Sequence, residues 1–397
     1  MITVKLFPAG YGDCILLSIG ENGTKFHILI DGGVTETYSG SLKKELQKIR
    51  SAGEKINLVV CTHMDNDHIS GLVKMLKDHN ADVIGNVWYN GFQQIIDEKF
   101  YRKRDAGSNE GSVADQKILD HIIRQGTISD EQQMVGINEG MSFGVLLEKE
   151  KLPVNEIVEG CAISTDNLQH KISINKDTAI YLIGPSKMDL DRVENYWKTD
   201  MIARNYRFRV SNQIKLTEAF EYQLERIQNF YAKEKTNVSQ SEDLEKYMGK
   251  LTESDESIVN KSSIAFIQEH NKKYYLFPGD AVMNEEMLDN IQKVVGYQHR
   301  FAAIKLPHHG SRYNITREFI NRYTAMEYYC LTDSKRFAHP DLEVMASILG
   351  TDRQRKTLIF NYPVEKAAFL NRPEWKQKYN YEIITGDGVT SVRREYS

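Results

Sequence analysis

Four side chains of the types that bind divalent metals lie within six consecutive residues. Residues 63–68 read His-Met-Asp-Asn-Asp-His, and imidazole and carboxylate are both good ligands for divalent cations. An apolar run over 56–62 precedes them and apolar residues at helical spacing follow over 68–79, which predicts that a buried strand ends and a helix begins here. A tight loop at that junction can turn His63, Asp65, Asp67 and His68 toward one point. The alternative is that Asp65 or Asp67 only caps the helix.

Matching residue types follow other strands of the predicted fold. Asp31 precedes two glycines at the end of one strand, Asp280 follows Pro-Gly after a second, and His308 and His309 follow a third. Acidic and imidazole groups concentrated at strand ends are what a metal cleft at one edge of a sheet requires. For a lone aspartate in a Gly-Asp turn, turn chemistry is the better interpretation.

The remaining pattern predicts the elements that position these residues. Short strands begin the chain, and β/α alternation resumes at residue 263. The stretch over 94–131 reads as helical, 142–184 as rich in β structure, and 386–388 as the turn of a terminal hairpin. From 187 to about 250 apolar residues recur at helical spacing, as at Leu216, Phe220 and Leu224, which indicates an inserted helical segment. We expect this segment to lie outside the core of the flanking β/α fold and to be dispensable for metal binding.

Bulk composition narrows the class of protein. The chain has 397 residues, 41% of them hydrophobic, and a formal net charge of −4, which excludes a global basic field for nucleic-acid binding. No apolar stretch is long enough to span a membrane, and the first residues enter a strand pattern without the features of a signal peptide, so we expect a cytoplasmic protein with no membrane partner. The four scattered cysteines are expected to be buried free thiols.

The pattern His-x-Asp-x-Asp-His resembles the metallo-β-lactamase superfamily signature His-x-His-x-Asp-His, with Asp65 replacing the middle histidine. This variant is similar to the nuclease domain of the ComEC-type competence proteins. The resemblance covers about 1–90 and 260–395 and extends through segments that occur in the same order and in matching strand contexts: 10–13 (Gly-Tyr-Gly-Asp), 31–33 (Asp-Gly-Gly), 260–263 (Asn-Lys-Ser-Ser), 278–280 (Pro-Gly-Asp), 307–311 (Pro-His-His-Gly-Ser), 339–340 (His-Pro), Thr385 and Gly388.

The resemblance implies an α/β fold, the metallo-β-lactamase αββα sandwich with a helical insertion. Its two halves would be 1–186 and 260–397, and 187–259 the insertion. The implied metal ligands are His63 and Asp65 for one ion, Asp67 and His68 for the second, with Asp280 bridging, His308 completing the set and Asp31 orienting a ligand. The superfamily's usual extra histidine has no clear counterpart, because His121 and His170 lack the context and are interpreted as ordinary surface or core residues. The first metal site would then be open or weak.

The additional carboxylate bears on metal identity and on the reaction. Asp65 makes the ligand set harder, which favours two Mn²⁺ ions, with Zn²⁺ or Mg²⁺ as alternatives. Such a pair suits phosphodiester hydrolysis by activation of water. We expect catalytic roles for Asp67, His309 and His339 and substrate contacts for Ser311 and Arg312. Ser311 could equally be a turn residue, and His339 could instead bind metal.

Three hypotheses for function follow. The first is a metal-dependent nuclease or phosphodiesterase that acts on DNA, as a stand-alone enzyme that works with a partner in bacterial defence. The second is a hydrolase of a small molecule such as a cyclic nucleotide, lactone or thioester. The third is a subunit whose 187–250 helices recruit a protein partner. Basic and aromatic residues interleave at 101–104 and 204–209, but solvated helix faces explain them better than nucleic-acid contacts.

Overall fold

The computed structural model describes residues 1–21, 23–96, 113–127, 142–168, 171–206, 213–231, 243–251 and 255–397. The basic segment 101–104, residues 207–209 of the second basic segment and His170 lie outside the described residues. Among the described residues, no helix is both long and apolar enough to cross a lipid bilayer. Cys14, Cys61 and Cys330 are buried free thiols as expected, whereas Cys161 is exposed.

Two sheets form the centre of the described structure. One has six strands in the order β14-β1-β2-β3-β4-β5, and the other has eight in the order β13-β12-β11-β10-β9-β8-β7-β6. The strands are β1 Ile2–Leu6, β2 Ile15–Ile19, β3 Phe26–Ile30, β4 Ile56–Val60, β5 Ile84–Trp88, β6 Lys171–Asn175, β7 Thr178–Gly184, β8 Ala265–His270, β9 Lys273–Phe277, β10 His299–Lys305, β11 Tyr323–Cys330, β12 Lys356–Phe360, β13 Tyr381–Thr385 and β14 Val392–Tyr396. From β3 to β5 and from β9 to β13 the neighbouring strands are parallel.

Helices cover the outer faces of both sheets. The α-helices of the described residues are α1 Thr35–Thr37, α2 Lys43–Ser51, α3 Asn66–Lys77, α4 Phe92–Ile95, α5 Val113–Thr127, α6 Phe143–Lys149, α7 Lys187–Ala203, α8 Gln213–Tyr231, α9 Ile258–Lys261, α10 Glu285–Val295, α11 Arg317–Arg322, α12 Leu342–Gly350, α13 Glu365–Leu370 and α14 Pro373–Tyr379. A π-helical turn, Tyr38–Leu42, joins α1 to α2, and short 3₁₀ turns occur at Ala81–Val83, Glu156–Val158, Leu244–Tyr247 and Pro307–Gly310.

The buried apolar residues divide into three clusters that define the layers. Alternate residues of β1, such as Ile2 and Val4, meet Phe266 and Phe277 of the other sheet in the middle cluster, so the two sheets pack face to face. The other two clusters lie between each sheet and its helices. β2 contributes Leu16 to an outer cluster and its neighbours to the middle one, which explains its continuous apolar sequence. The αββα arrangement confirms the predicted fold class.

Each of the two sheets contains strands from both halves of the chain. β6 and β7 precede residue 187, yet β7 pairs with β8 in the eight-stranded sheet. β14, at the other end of the chain, pairs with β1 and completes the six-stranded sheet. The domain boundaries at 186/187 and 259/260 therefore stay a prediction, because neither sheet is built from one half alone.

The helices after residue 187 join a core, and the expectation that they lie outside it is wrong. Trp197 of α7 and Phe220 of α8 are completely buried, with ring centroids 5.4 Å apart. Both contact Phe92 of α4, at centroid distances of 6.1 and 5.6 Å. They belong to the cluster between the six-stranded sheet and its helices. Helical spacing identified the elements but could not reveal which surface they cover.

Two local expectations are also wrong. Residues 143–149 form α6 instead of β structure, because Ser142 accepts a hydrogen bond from the backbone of Val145 and caps a helix. The turn at 386–388 does not close a hairpin, since β13 pairs with β12 and β14 pairs with β1 in the other sheet. This turn therefore carries the chain from one sheet to the other.

Candidate metal centre

The ends of four parallel strands bring the candidate ligands to one edge of the sandwich. Asp31 directly follows β3, and His63 follows β4, its parallel neighbour. Asp280 follows β9, and His308 and His309 follow β10, again a parallel pair. Because parallel strands end at the same edge of a sheet, Asp31 and His63 lie together in the six-stranded sheet. Asp280 lies beside His308 and His309 in the eight-stranded sheet for the same reason. This placement agrees with the predicted metal cleft.

Four imidazoles converge on one oxygen atom of Asp280. The Nε2 atoms of His68, His309, His308 and His63 lie 3.5, 3.6, 3.7 and 4.0 Å from Asp280 Oδ2. The other oxygen, Oδ1, accepts a hydrogen bond from the buried ammonium of Lys305 at 3.1 Å. Lys305 thus occupies Oδ1 and leaves Oδ2 facing the imidazoles. A single oxygen of Asp280 is therefore available to a cation.

Each of these rings faces an oxygen atom with its other nitrogen, Nδ1. Hydrogen bonds join Nδ1 to Thr62 Oγ1 in His63 at 3.0 Å, to Asp31 Oδ2 in His68 at 2.8 Å and to Asn314 Oδ1 in His308 at 2.9 Å. Nδ1 of His309 lies 3.3 Å from Asp13 Oδ1, an ion-pair contact without a hydrogen bond. Where Nδ1–H donates to such an oxygen, Nε2 is unprotonated and can bind a metal.

Thr62 shows how the sequence fixes one of these orientations. Its hydroxyl donates to Asp31 Oδ2 at 2.7 Å, so the hydroxyl oxygen acts as an acceptor toward Nδ1 of His63. Its backbone N–H donates to Asp31 Oδ1, also at 2.7 Å. Asp31 consequently positions two imidazoles, one directly and one through Thr62. This is the contact expected of the orienting role predicted for Asp31.

The inward-facing atoms test whether these residues suit a metal. Nε2 of His63, His68 and His309 and Oδ1 of Asp65 are buried and have no hydrogen-bond partner among the described residues. Buried polar atoms are normally satisfied, and a cluster of unsatisfied imidazole and carboxylate atoms is what a cation site requires. The residues therefore fit a metal.

His68 belongs to three of the four donor sets among the described residues, and two of these sets consist entirely of site residues predicted from the sequence. The ligand atoms of His63, His68 and Asp280 form one compact group, and those of Asp67, His68 and His309 form another. Asp65 Oδ2 adds to the first, at 3.2 Å from His63 Nε2. His309, for which a catalytic role was expected, lies in the second set, with its Nε2 3.8 Å from Asp67 Oδ2. Two neighbouring positions for cations result.

The electrostatic field of the cluster is anionic. Burial raises the pKa of the Asp280 carboxyl, but Lys305 and the imidazoles outweigh this effect and hold the pKa well below its ordinary value. Burial likewise acts on Asp67, whose pKa is nevertheless lowered to about 2 by His68 and His309. For His309, burial lowers the pKa, but Asp280 and Asp13 raise it to about 9. The field that stabilises an imidazolium also attracts a metal cation.

Ser311, Arg312 and His339 lie outside these two donor sets. Ser311 is buried and its Oγ accepts a hydrogen bond from the backbone of Tyr313 at 3.3 Å, a turn contact. Arg312 donates to the Tyr313 hydroxyl at 2.9 Å. The His339 ring lies 5.3 Å from that of His308, outside both donor sets. His121 lies on the exposed side of α5.

Four residues of the site were missed from the sequence: Asp13, Thr62, Lys305 and Asn314. Asp13 was part of a segment that carried the family resemblance, which was the one available signal for it. Lys305 stands at the end of a strand among apolar residues, where a lysine is unusual unless it is paired. Nothing in the local pattern marks Thr62 or Asn314.

An αββα sandwich with an imidazole–carboxylate centre at one edge is the class of protein that the fold and the site define. Residues 8–104, which include β2 to β5 and the segment 63–68, match the family model described as Metallo-beta-lactamase superfamily. No curated protein matches the chain.

The solved structures that match the chain include two of low sequence identity. The metallo-beta-lactamase fold protein YhfI from Bacillus subtilis is 9% identical, with 100% of both chains covered and a TM-score of 0.36. CmlA, a diiron beta-hydroxylase from Streptomyces venezuelae, is 10% identical, with 99% of this chain and 54% of that chain covered and a TM-score of 0.37.

Proposed function

We propose that this protein is a metal-dependent hydrolase that cleaves phosphodiester bonds in DNA. The observation that carries the proposal is the convergence of four imidazole Nε2 atoms on Asp280 Oδ2, with Asp65 and Asp67 beside them. This donor set has the composition of a site for two hard or borderline divalent cations.

The ligands divide between two positions. His63, Asp65 and Asp280 would hold one ion, and Asp67, His68 and His309 the other, with Asp280 Oδ2 accessible to both and His308 completing the set. A bound pair of divalent ions supplies Lewis acidity and a water molecule of lowered pKa. Asp31, Thr62, Asn314 and Asp13 keep the rings in place, so the ligands need little rearrangement when cations bind.

The charge of the site favours an anionic substrate only when cations are present. Five carboxylates (Asp13, Asp31, Asp65, Asp67 and Asp280) are only partly balanced within the cluster by Lys305 and the imidazoles. Two divalent ions would reverse the sign of this field and attract a phosphodiester. The carboxylate of Asp65, with an unsatisfied Oδ1, supports Mn²⁺ over Zn²⁺, with Mg²⁺ as the other candidate.

One contact favours the second candidate, a hydrolase of small molecules. Asn66, in the segment that carries the ligands, donates a hydrogen bond to Glu225 of α8. α8 therefore stands beside the metal centre and adds a carboxylate to its border. A helix that borders the site would suit a compact substrate such as a cyclic nucleotide better than a long polymer.

A role in bacterial defence with a protein partner on the 187–250 helices belongs to the same proposal. Leu216, Phe220 and Leu224 of α8 are buried in the core, whereas Ile214 is exposed. This one exposed residue makes no apolar stripe within the described part of α8. A partner would instead contact the mainly polar outer faces of these helices, which on α7 also carry the exposed Met188 and Ile202.

The test begins with protein stripped of metal by a chelator and refilled with Mn²⁺, Zn²⁺ or Mg²⁺. Each form is analysed for metal content and assayed on single-stranded DNA, a cyclic nucleotide and a lactone. We expect up to two ions per chain and cleavage of DNA, fastest with Mn²⁺. The double variant Asp67→Ala/His68→Ala should lose both metal and activity. Hydrolysis of the lactone alone would contradict the proposal.

A further inference from the structure

A cluster of aromatic rings extends from the metal centre to the protein surface. The ring of His308 contacts that of His339, with centroids 5.3 Å apart. His339 in turn lies nearly parallel to Phe337, at 6.1 Å and 30°. Phe337 meets Tyr11 edge to face at 5.9 Å. The last three residues are partly exposed, so ring surface is accessible beside the centre.

A guanidinium group lies over the outer end of this cluster. The Arg336 side chain stands 4.8 Å from the Tyr11 ring centroid and 5.4 Å from that of Phe337. Its Nη1 donates to the Tyr11 hydroxyl at 2.7 Å. Arginine in such a position can bind a phosphate while it remains stacked on the rings.

The two loops that carry these residues are fixed to the metal centre. The backbone N–H of Asp333 donates to Gly10 O, and that of Asp341 donates to Gly310 O, at 2.8 and 2.9 Å. A side chain at Gly12 would place its Cβ 1.7 Å from the backbone oxygen of Asp67, so only glycine permits this approach of the turn. The aromatic rings are thus held at fixed positions relative to the metal ligands.

We propose that Tyr11, Arg336, Phe337 and His339 form a subsite for one nucleotide of a single-stranded DNA substrate. This inference rests on the proposed function and names how that site would recognise its substrate. The rings would stack the base, and Arg336 would contact a phosphate. Stacking of bases on aromatic side chains tolerates any sequence, so the subsite confers a preference for unpaired nucleotides without a preferred base.

The decisive experiment compares two single-stranded oligonucleotides of equal length, one of thymidine nucleotides and one abasic. Both carry phosphorothioate linkages that resist hydrolysis and a fluorescent label, and affinity for the Mn²⁺-loaded protein is measured by anisotropy. The backbone charge of the two is identical, so a difference in affinity reports on the bases. We expect the wild type to bind the thymidine form about tenfold more tightly.

Two variants separate the parts of the subsite. Phe337→Leu should bind both oligonucleotides with similar affinity, because its stacking surface is lost. Arg336→Gln should weaken both by a similar factor and reduce the dependence of affinity on salt. The matched controls are Tyr297→Leu, an exposed ring before the opposite end of β10, and Arg355→Gln, an exposed arginine, and both should behave as wild type. Thermal unfolding verifies that all four variants are folded.

The possible results are distinct. Equal affinity of the wild type for the two oligonucleotides, no binding of either, or wild-type behaviour of Phe337→Leu and Arg336→Gln would each overturn the subsite. If the base preference is present and depends on Phe337 while no DNA is cleaved with any metal, the subsite stands and the proposed hydrolysis of DNA is wrong.

Discussion

At the scale of single residues, the metal centre depends on the side chains that hold the rings as well as on the ligands. Asp31 is completely buried, accepts three hydrogen bonds from Thr62 and His68, and has a φ of 55°. Aspartate and asparagine are the side-chain-bearing residues that adopt such a conformation most readily. The residue at position 31 must therefore adopt an unusual backbone conformation and also supply acceptor oxygens.

Replacement of Asp31 by asparagine is expected to weaken metal binding while the fold is retained. Asparagine tolerates the backbone conformation but supplies one acceptor oxygen where the carboxylate has two, so a donor on His68 or Thr62 loses its partner. Loss of an orienting contact of this kind typically costs about 10- to 100-fold in metal affinity. Titration calorimetry with Mn²⁺ measures the effect.

Asp189→Asn is the matched control, since Asp189 is also buried and hydrogen-bonded but lies at the start of α7. Its affinity for Mn²⁺ should equal that of the wild type. Wild-type affinity in Asp31→Asn would show that Asp31 does not orient the ligands.

Substitution of Asp65 by histidine should change the preferred metal. Asp65 is the carboxylate in the position of an expected imidazole, and its Oδ2 lies 3.2 Å from His63 Nε2. An imidazole there makes the ligand set softer and less anionic, so the ratio of Zn²⁺ to Mn²⁺ affinity should rise by about tenfold or more. Competition dialysis followed by elemental analysis gives the ratio directly. Asp65→Asn, which removes the charge without adding an imidazole, should weaken both metals, and an unchanged ratio in Asp65→His would refute the argument.

At the scale of elements, the local sequence pattern identified those features that neighbouring residues determine. The ligands of residues 63–68 were visible because they are contiguous and lie between an apolar strand and an amphipathic helix. Asp13 and Lys305 form an ion pair although they lie far apart in the sequence, so no local spacing could reveal this pair. The helix α6 was mistaken for β structure because its apolar residues over 143–147 are too few to separate the two periods.

α8 carries an acidic residue whose titration should affect stability. Glu218 is largely buried in the helix layer, and burial, together with Glu221, raises its pKa to about 7. Because this value exceeds that of an unfolded chain, the folded state prefers the protonated carboxyl. The stability that follows from protonation is present below about pH 4.5 and is lost as the pH rises through 7.

Glu218→Gln is therefore expected to raise the melting temperature relative to the wild type at pH 8 and to have little effect at pH 4. Glutamine resembles the protonated carboxyl and does not ionise. Calorimetric melting curves from pH 4 to 8 measure the difference. The exposed Glu382 provides the control variant Glu382→Gln, which should show no gain at pH 8. A difference that is independent of pH in Glu218→Gln would mean that this carboxyl does not titrate in the range.

At the scale of the whole molecule, the sandwich is closed by both ends of the chain. β14 adds to the first sheet beside β1, and Glu327 of β11 binds Arg394 and Tyr396 of β14 across the two sheets. The metal centre also draws residues from both sheets, because Asp31 follows a strand of one and Asp280 a strand of the other. The resemblance predicted this architecture, but it was interrupted over the helices after residue 187, whose packing only the structure reveals.

These helices should be required for the fold. Trp197 and Phe220 are completely buried against Phe92, in the same cluster as apolar residues of the first sheet. Replacement of a buried tryptophan by alanine costs about 3–5 kcal/mol, a large part of the roughly 5–15 kcal/mol by which such proteins are stable. Trp197→Ala should therefore unfold at a much lower urea concentration, whereas Tyr297→Ala, at an exposed ring, should not.

Replacement of residues 187–250 by a flexible linker should have a greater effect than Trp197→Ala, because it uncovers the whole surface on which both helices pack. We expect a chain that does not unfold cooperatively in urea and does not retain stoichiometric Mn²⁺, since α3, which follows the ligand segment, contributes Leu72 and Leu76 to the same cluster. Circular dichroism and elemental analysis of the purified variant provide the two measurements. A linker variant that unfolds cooperatively and binds as much Mn²⁺ as the wild type would show that the helices are separable from the sandwich despite their buried contacts.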